Sequence, residues 1–234
     1  MNLVQKVENP LNLISGRQKS EMRVLIMTAV AAERDAVLRG LQSDLRFDVL
    51  VAGVGSVVAA VHTARALGMN EYSLVISAGI GGGFPGRAEV GSLVVANKIV
   101  IADLGAETSE GFCSVDELGF GSTQVQIEAS WADRVTRALL VANLPAISGP
   151  VLTVSTVTGT AERAAELATR VPGATAEAME GYGVGFAAFD RGVPVLEIRA
   201  ISNLVGPRDR STWRVKEALE VLETASAVLR EVLV

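Results

Sequence analysis

The chain has 234 residues, of which 49% are hydrophobic and 20% charged, a balance that suits a globular α/β domain with a sizeable core and excludes a disordered polymer. A formal charge of −5 and an aromatic content of 4% lack the basic, aromatic-rich footprint of a nucleic-acid binder. One cysteine, Cys113, and one histidine, His62, exclude an internal disulfide framework and a multi-His or multi-Cys metal site.

Residues 1–21 are polar, are broken by Pro10 and Gly16, and read as an N-terminal extension rather than a secretory signal. Nothing later approaches the ~20 apolar residues of a membrane span, so a cytoplasmic protein is expected, with one domain over residues 22–234. Strands are expected over 23–28, 47–52, 74–78, 149–155, 174–179 and 194–202, with a β-rich stretch over 91–101. Helices are expected over 31–41, 57–67, 130–140 and 161–169, after Glu180, and near the C-terminus. Ser130 is expected to cap the third, and Ser211 or Thr212 the last. His62 falls on the second of these helices, in a surface or packing role. Residues 103–124 read as one long loop carrying Cys113. Alternation of strand and helix argues for a sheet covered on both faces.

In such folds ligands bind beyond the carboxyl ends of strands. The segments that reach that rim are Thr28 to Glu33, Gly53-Val54-Gly55, Ser77-Ala78-Gly79-Ile80-Gly81-Gly82-Gly83, Met179-Glu180-Gly181 and Arg199-Ala200-Ile201-Ser202-Asn203. Neither glycine run is a dinucleotide fingerprint, and no Gly-Lys-Ser/Thr is present, so a P-loop is excluded. Glu33 and Glu180 each sit where a strand hands over to a helix, amid small or apolar residues. The glycines at 181, 183 and 185 would cost about 1 kcal/mol each in a helix relative to alanine, and point to close packing or an irregular segment. Tyr182 beside them reads as a core residue.

The stretch from Met27 to Glu33, then Ser77 to Gly82, Ala178-Met179-Glu180 and Arg199-Ala200-Ile201-Ser202 together resemble, in order, the motifs of the methylthioadenosine/S-adenosylhomocysteine nucleosidases. These belong to the nucleoside phosphorylase superfamily. The resemblance implies a three-layer αβα sandwich around a mixed, partly barrel-like sheet, a purine nucleoside and water as reactants, no cofactor or metal, and a homodimer or higher homo-oligomer. It implies that Glu33 deprotonates the attacking water, that Glu180 holds the ribose hydroxyls with Met179 against the sugar, and that Ala78, Gly79, Val157 and Thr158 line the base slot. The chemistry agrees: a carboxylate beside an oxocarbenium-like sugar stabilises developing charge, and a second one can accept the water's proton.

Two departures narrow the substrate. Those nucleosidases carry Asp after Arg-Ala-Ile-Ser, where this chain has Asn203. A neutral amide can donate to the O6 and N7 acceptors of a 6-oxopurine, whereas the 6-amino group of adenine suits a carboxylate. At Ile80 the compared enzymes have serine, and neither the 53–57 nor the 79–83 loop offers an arginine for phosphate. That favours hydrolysis over phosphorolysis, with Arg87 and Arg199 as the cations that could still reach in. The run from Ile198 to Asn203, followed by Gly206-Pro207-Arg208-Asp209-Arg210 and Trp213, resembles the futalosine hydrolases. This implies release of hypoxanthine from futalosine in menaquinone biosynthesis. Arg208 or Arg210 would pair with the substrate carboxylate, and Trp213 or Phe84 would pack on its phenyl ring. The alternatives are a methylthioadenosine-type nucleosidase, a purine nucleoside phosphorylase and a non-catalytic nucleoside sensor. Retention of both glutamates disfavours the last.

Overall fold

The computed structural model describes residues 22–233, and the extension expected over residues 1–21 lies outside them. In chain order the elements are β1 (Val24–Thr28), α1 (Ala31–Leu41), β2 (Phe47–Val51), α2 (Ser56–Met69), β3 (Leu74–Gly83), β4 (Leu93–Ile101), β5 (Gly105–Thr108), β6 (Gly111–Ser114) and β7 (Gln124–Gln126). There follow α3 (Ala129–Val141), β8 (Ala146–Thr153), α4 (Ala161–Arg170), β9 (Ala176–Ala178), α5 (Gly181–Asp190), β10 (Val195–Leu204) and α6 (Val215–Val232).

The main sheet runs β10-β4-β8-β9-β3-β1-β2, and β10 also pairs with β3. That second pairing closes β10, β4, β8, β9 and β3 into a ring, with β1 and β2 as an open extension. The sheet is mixed: β1, β2, β3 and β10 run parallel to their neighbours in that group, whereas β4 on β10 and β9 on β3 are antiparallel. The three-layer architecture is the one that the motifs implied.

Apolar runs make the central strands because both sheet faces are covered. Val24, Leu25, Ile26 and Met27 of β1 are all at most 1% exposed, each burial stabilising by roughly 1.5–3 kcal/mol. α1 and α6 lie tightly together: a Cβ on Gly40 would overlap Glu223 O and meet Ser226 Cβ at 2.7 Å. The glycine-rich α5 is close-packed for the same reason. Gly183 abuts Ser56 O of α2, and a Cβ on Gly185 would press Ile99 of β4 and Val125 of β7 at 3.2 Å.

Several boundaries differ from the sequence expectation. β3 continues through the glycine run to Gly83 instead of ending at Ala78, because β10 and β9 both pair with it there. The expected loop over 103–124 contains the β5–β6 hairpin and leads into β7. Ser130 lies inside α3, whose N-cap is Glu128. Ser211 and Thr212 form a 3₁₀ turn capped by the Asp209 carboxylate, and α6 begins only at Val215. His62 rests on α2 and bonds Ala52 O through Nδ1 at 2.7 Å, the packing role expected of it. Tyr182 is only half-buried: it stacks on Phe186 and donates its hydroxyl to Ser122 O.

Candidate active site

Glu33 lies in the first turn of α1, just past the end of β1, and is 3% exposed. Its carboxylate closes the helix start: Oε2 accepts from Ala29 N at 2.8 Å and Val30 N at 3.2 Å. Oε1 accepts from Ile80 N at 2.9 Å. An ionised carboxylate offers about four lone-pair sites, so one stays open to a water. Burial pushes the Glu33 carboxyl above its ordinary value, and Glu180 adds to that, against the opposing pull of Arg199 and the Ile80 N–H. A proton acceptor held rigidly, with raised affinity for the proton, suits general-base work. Ile80 thus serves through its backbone, while its side chain packs on the core.

Glu180 occupies the equivalent place at the head of α5 and is 5% exposed. Its Oε1 accepts from Gly55 N at 3.2 Å and its Oε2 from Met179 N at 3.3 Å. Gly55 reaches it with φ +95°, a conformation that favours glycine. The start of α5 is anchored by Tyr182 N donating to Thr153 Oγ1 of β8 at 2.8 Å.

Arg199 joins the two glutamates. It is 1% exposed, in mid-β10. Nη1 lies 3.4 Å from Glu180 Oε2, Nε donates to Glu197 Oε1 at 2.8 Å, and Nη2 donates to Ser77 Oγ at 2.9 Å. Gly79 lies between the partners: a Cβ there would stand 2.6 Å from Glu33 Oε1 and 2.8 Å from Arg199 Nη1. Two carboxylates, Glu180 and Glu197, therefore pair with one buried guanidinium, and Glu33 faces it across Gly79. With Nε on Glu197, Nη2 on Ser77 and Nη1 facing Glu180, Arg199 is held within this cluster.

Glu33, Glu180, Met179 and Gly79 are thus brought together, with Ala78 buried next to Gly79 in β3. Asn203 lies further along the sheet, beside Gly82 and not Gly79, and its hydrogen bonds go to neighbours in its own strand and not to the cluster. A bulge at Ser202 pairs it with Gly82 and re-aims it relative to Arg199. Its Oδ1 accepts from Ser202 Oγ at 2.8 Å and its Nδ2 donates to Leu204 O at 3.0 Å. An amide carries two N–H bonds, so one remains for a ligand. Thr158 is buried and turned to Glu177, to which it gives both N–H (2.9 Å) and hydroxyl; those groups are not free for a base. Val157 beside it is 37% exposed.

Arg208 and Trp213 stand apart from the carboxylates. The Arg208 guanidinium lies 5.1 Å from the centre of the Trp213 ring and that of Arg210 lies 6.0 Å away. Trp213 lines a cavity of about 360 Å³ with Leu204, Val205 and Pro207. A neighbouring cavity of about 320 Å³ holds Phe84 and Arg87 and shares Pro85, Val205 and Pro207 with the first. Glu197 and Glu177 are the buried acids that motif reasoning passed over. Spacing held a signal for one of them, since Glu197 and Arg199, two apart in a strand, point to the same face.

A model of the Phosphorylase superfamily matches residues 27–234. A solved structure of a Helicobacter pylori MTAN mutant with 5'-methylthioadenosine in its active site aligns at a TM-score of 0.77, covering 91% of this chain and 98% of that one. At 19% identity this likeness concerns the fold alone. An αβα fold with two buried glutamates at strand-to-helix turns defines a nucleosidase-type member of the superfamily. The chain is also 50% identical over 232 residues to a futalosine hydrolase of Streptomyces coelicolor, spanning 91% of this chain and 97% of that one. It is 47% identical over 218 residues to a futalosine hydrolase of Acidothermus cellulolyticus, with 88% and 89% covered. This chain belongs to the phosphorylase superfamily and, within it, to the futalosine hydrolase family.

Proposed function

We propose that the protein hydrolyses the N-glycosidic bond of futalosine, releasing hypoxanthine and dehypoxanthine futalosine, as a step of menaquinone biosynthesis. The observation that carries this reading is the pair of buried glutamates, Glu33 and Glu180, at two strand-to-helix turns beside Arg199, with a neutral Asn203 where a carboxylic acid would serve adenine. Glu180 holds the ribose hydroxyls and faces the sugar as it gains positive charge. Glu33 takes the proton of a water that attacks the anomeric carbon, while the C–N bond breaks and its electron pair leaves with the base. Asn203 donates to the O6/N7 edge of hypoxanthine as negative charge collects there. Met179, Ala78, Gly79 and Val157 border the sugar and base. The cavities beside Trp213 and Phe84 suit the carboxyphenyl arm, with Arg208 or Arg210 for its carboxylate.

The reading includes a cytoplasmic enzyme that works as a homodimer or higher homo-oligomer. An apolar patch supports the second part: Val54, Val57, Val58 and Val61 are 44–78% exposed around the start of α2. Single exposed valines are ordinary, but a continuous patch beside a site asks for a cover. The test of the chemistry is incubation with futalosine in buffer with and without phosphate. Hypoxanthine and a free reducing sugar are expected at equal rates in both. A ribosyl 1-phosphate product would exclude the hydrolase reading. Turnover of methylthioadenosine in preference to futalosine would favour the adenine-nucleosidase alternative.

A further inference from the structure

Glu197 is not accounted for by the reaction. It is 0% exposed, in the middle of β10, and its Oε2 has no hydrogen-bond partner. Its Oε1 accepts from Arg199 Nε at 2.8 Å. Gly181, the residue after Glu180, makes the space for it: a Cβ there would overlap both Glu197 oxygens. Charge balance does not explain the residue. Arg199 already has Glu180 at 3.4 Å and Glu33 across Gly79. Two carboxylates already outweigh one guanidinium, so a third adds to the negative excess when ionised and strands a polar oxygen, both of which oppose folding. Such a group persists where it holds something in place. What it holds is the guanidinium: Glu197 on Nε and Ser77 on Nη2 fix its plane, and that plane aims Nη1 at Glu180.

We propose that Glu197 is a positioning residue for the sugar site, which through Arg199 fixes the carboxylate of Glu180 and so sets selection for ribose over 2′-deoxyribose, with Gly181 as the opening that admits it. This rests on the reading that Glu180 holds the ribose hydroxyls. Position is the requirement, not charge. Gln at 197 keeps the length and an acceptor for Arg199 Nε. Asp keeps the charge but withdraws the carboxylate by one methylene. A residue needed only to balance charge would show the reverse order.

The test is the ratio of kcat/KM for futalosine to that for its 2′-deoxy analogue in four proteins: wild type, Glu180→Gln, Glu197→Gln and Glu197→Asp. Glu180→Gln is expected to collapse the ratio. Glu197→Gln is expected to keep it near the wild-type value, and Glu197→Asp to lower it roughly tenfold, the effect of losing one charge-assisted hydrogen bond. Gly181→Ala, which crowds the carboxylate, is expected to act like Glu197→Asp and to add little to it. If Glu180→Gln collapses the ratio but Glu197→Asp leaves it intact, or if Glu197→Gln loses as much as Glu197→Asp, the positioning role is overturned while the ribose reading stands. If Glu180→Gln leaves the ratio unchanged, the ribose reading itself falls, and the proposal with it.

Discussion

At the scale of single residues the site is governed by how many carboxylates one buried guanidinium can serve. Burial raises Glu197 to about 7 from an ordinary 4.5, against the opposing pull of Arg199. Below the ordinary value both folded and unfolded chains hold the proton; between there and about 7 only the folded chain does. Stability therefore falls as pH rises through that window and levels off above it. Glu197→Gln, which has no proton to lose, is expected to flatten this decline by up to about 3 kcal/mol, read from urea unfolding at pH 4.5 and 7.5; identical slopes in both proteins would place the titration elsewhere. Asn203 is the residue proposed to set the base. Asn203→Asp is expected to shift preference from 6-oxopurine to 6-aminopurine nucleosides by tenfold or more, and an unchanged ratio in a paired assay would remove Asn203 from the base slot. Glu33 and Glu180 stood out in the sequence by their place at strand-to-helix turns and by the motifs that resemble the nucleosidases, and the structure buries both. Glu197 showed only as a same-face neighbour of Arg199, and the commitment of Thr158 to Glu177 was not legible, since one strand's register decides what a neighbouring strand buries.

At the scale of elements the lesson lies in the glycines. The run from Gly79 to Gly83 reads as a loop by composition, yet it is strand, paired on one side with β10 and on the other with β9. Glycine is needed there because neighbours crowd the backbone: Glu33 and Arg199 at Gly79, Ala88 O at Gly83. Propensity describes an isolated segment, and tertiary crowding overrides it. The same logic makes α5 a helix despite its glycines at 181, 183 and 185. Gly183→Val is expected to push α5 away from α2, destabilising by about 1–3 kcal/mol. It should also weaken substrate binding, because Gly55 at the head of α2 bonds Glu180. Thermal melting beside a KM measurement checks both, and an unchanged melting temperature would contradict the packing account. The β5–β6 hairpin was hidden for a different reason: its Ser-Glu turn carries none of the usual Asn-Gly or Asp-Gly signals.

At the scale of the whole molecule, five strands closed into a ring bring chain segments far apart in sequence to one rim, where Glu33, Gly79, Glu180 and Arg199 meet. The exposed valines of α2 adjoin that rim, and a pair of substitutions, Val57→Asp with Val61→Asp, is expected to dissociate the proposed homo-oligomer in sedimentation; a monomeric wild type would contradict that proposal. Within that rim lies the proposed chemistry, in which Glu33 activates water against the futalosine glycosidic bond. Its most direct measurement is hypoxanthine release by wild type and Glu33→Gln in phosphate-free buffer, with substrate affinity determined in parallel. Base catalysis by Glu33 predicts that wild type releases hypoxanthine, and that Glu33→Gln is slower by roughly 10²–10⁴-fold with affinity preserved. A Glu33→Gln enzyme turning over at the wild-type rate would contradict it.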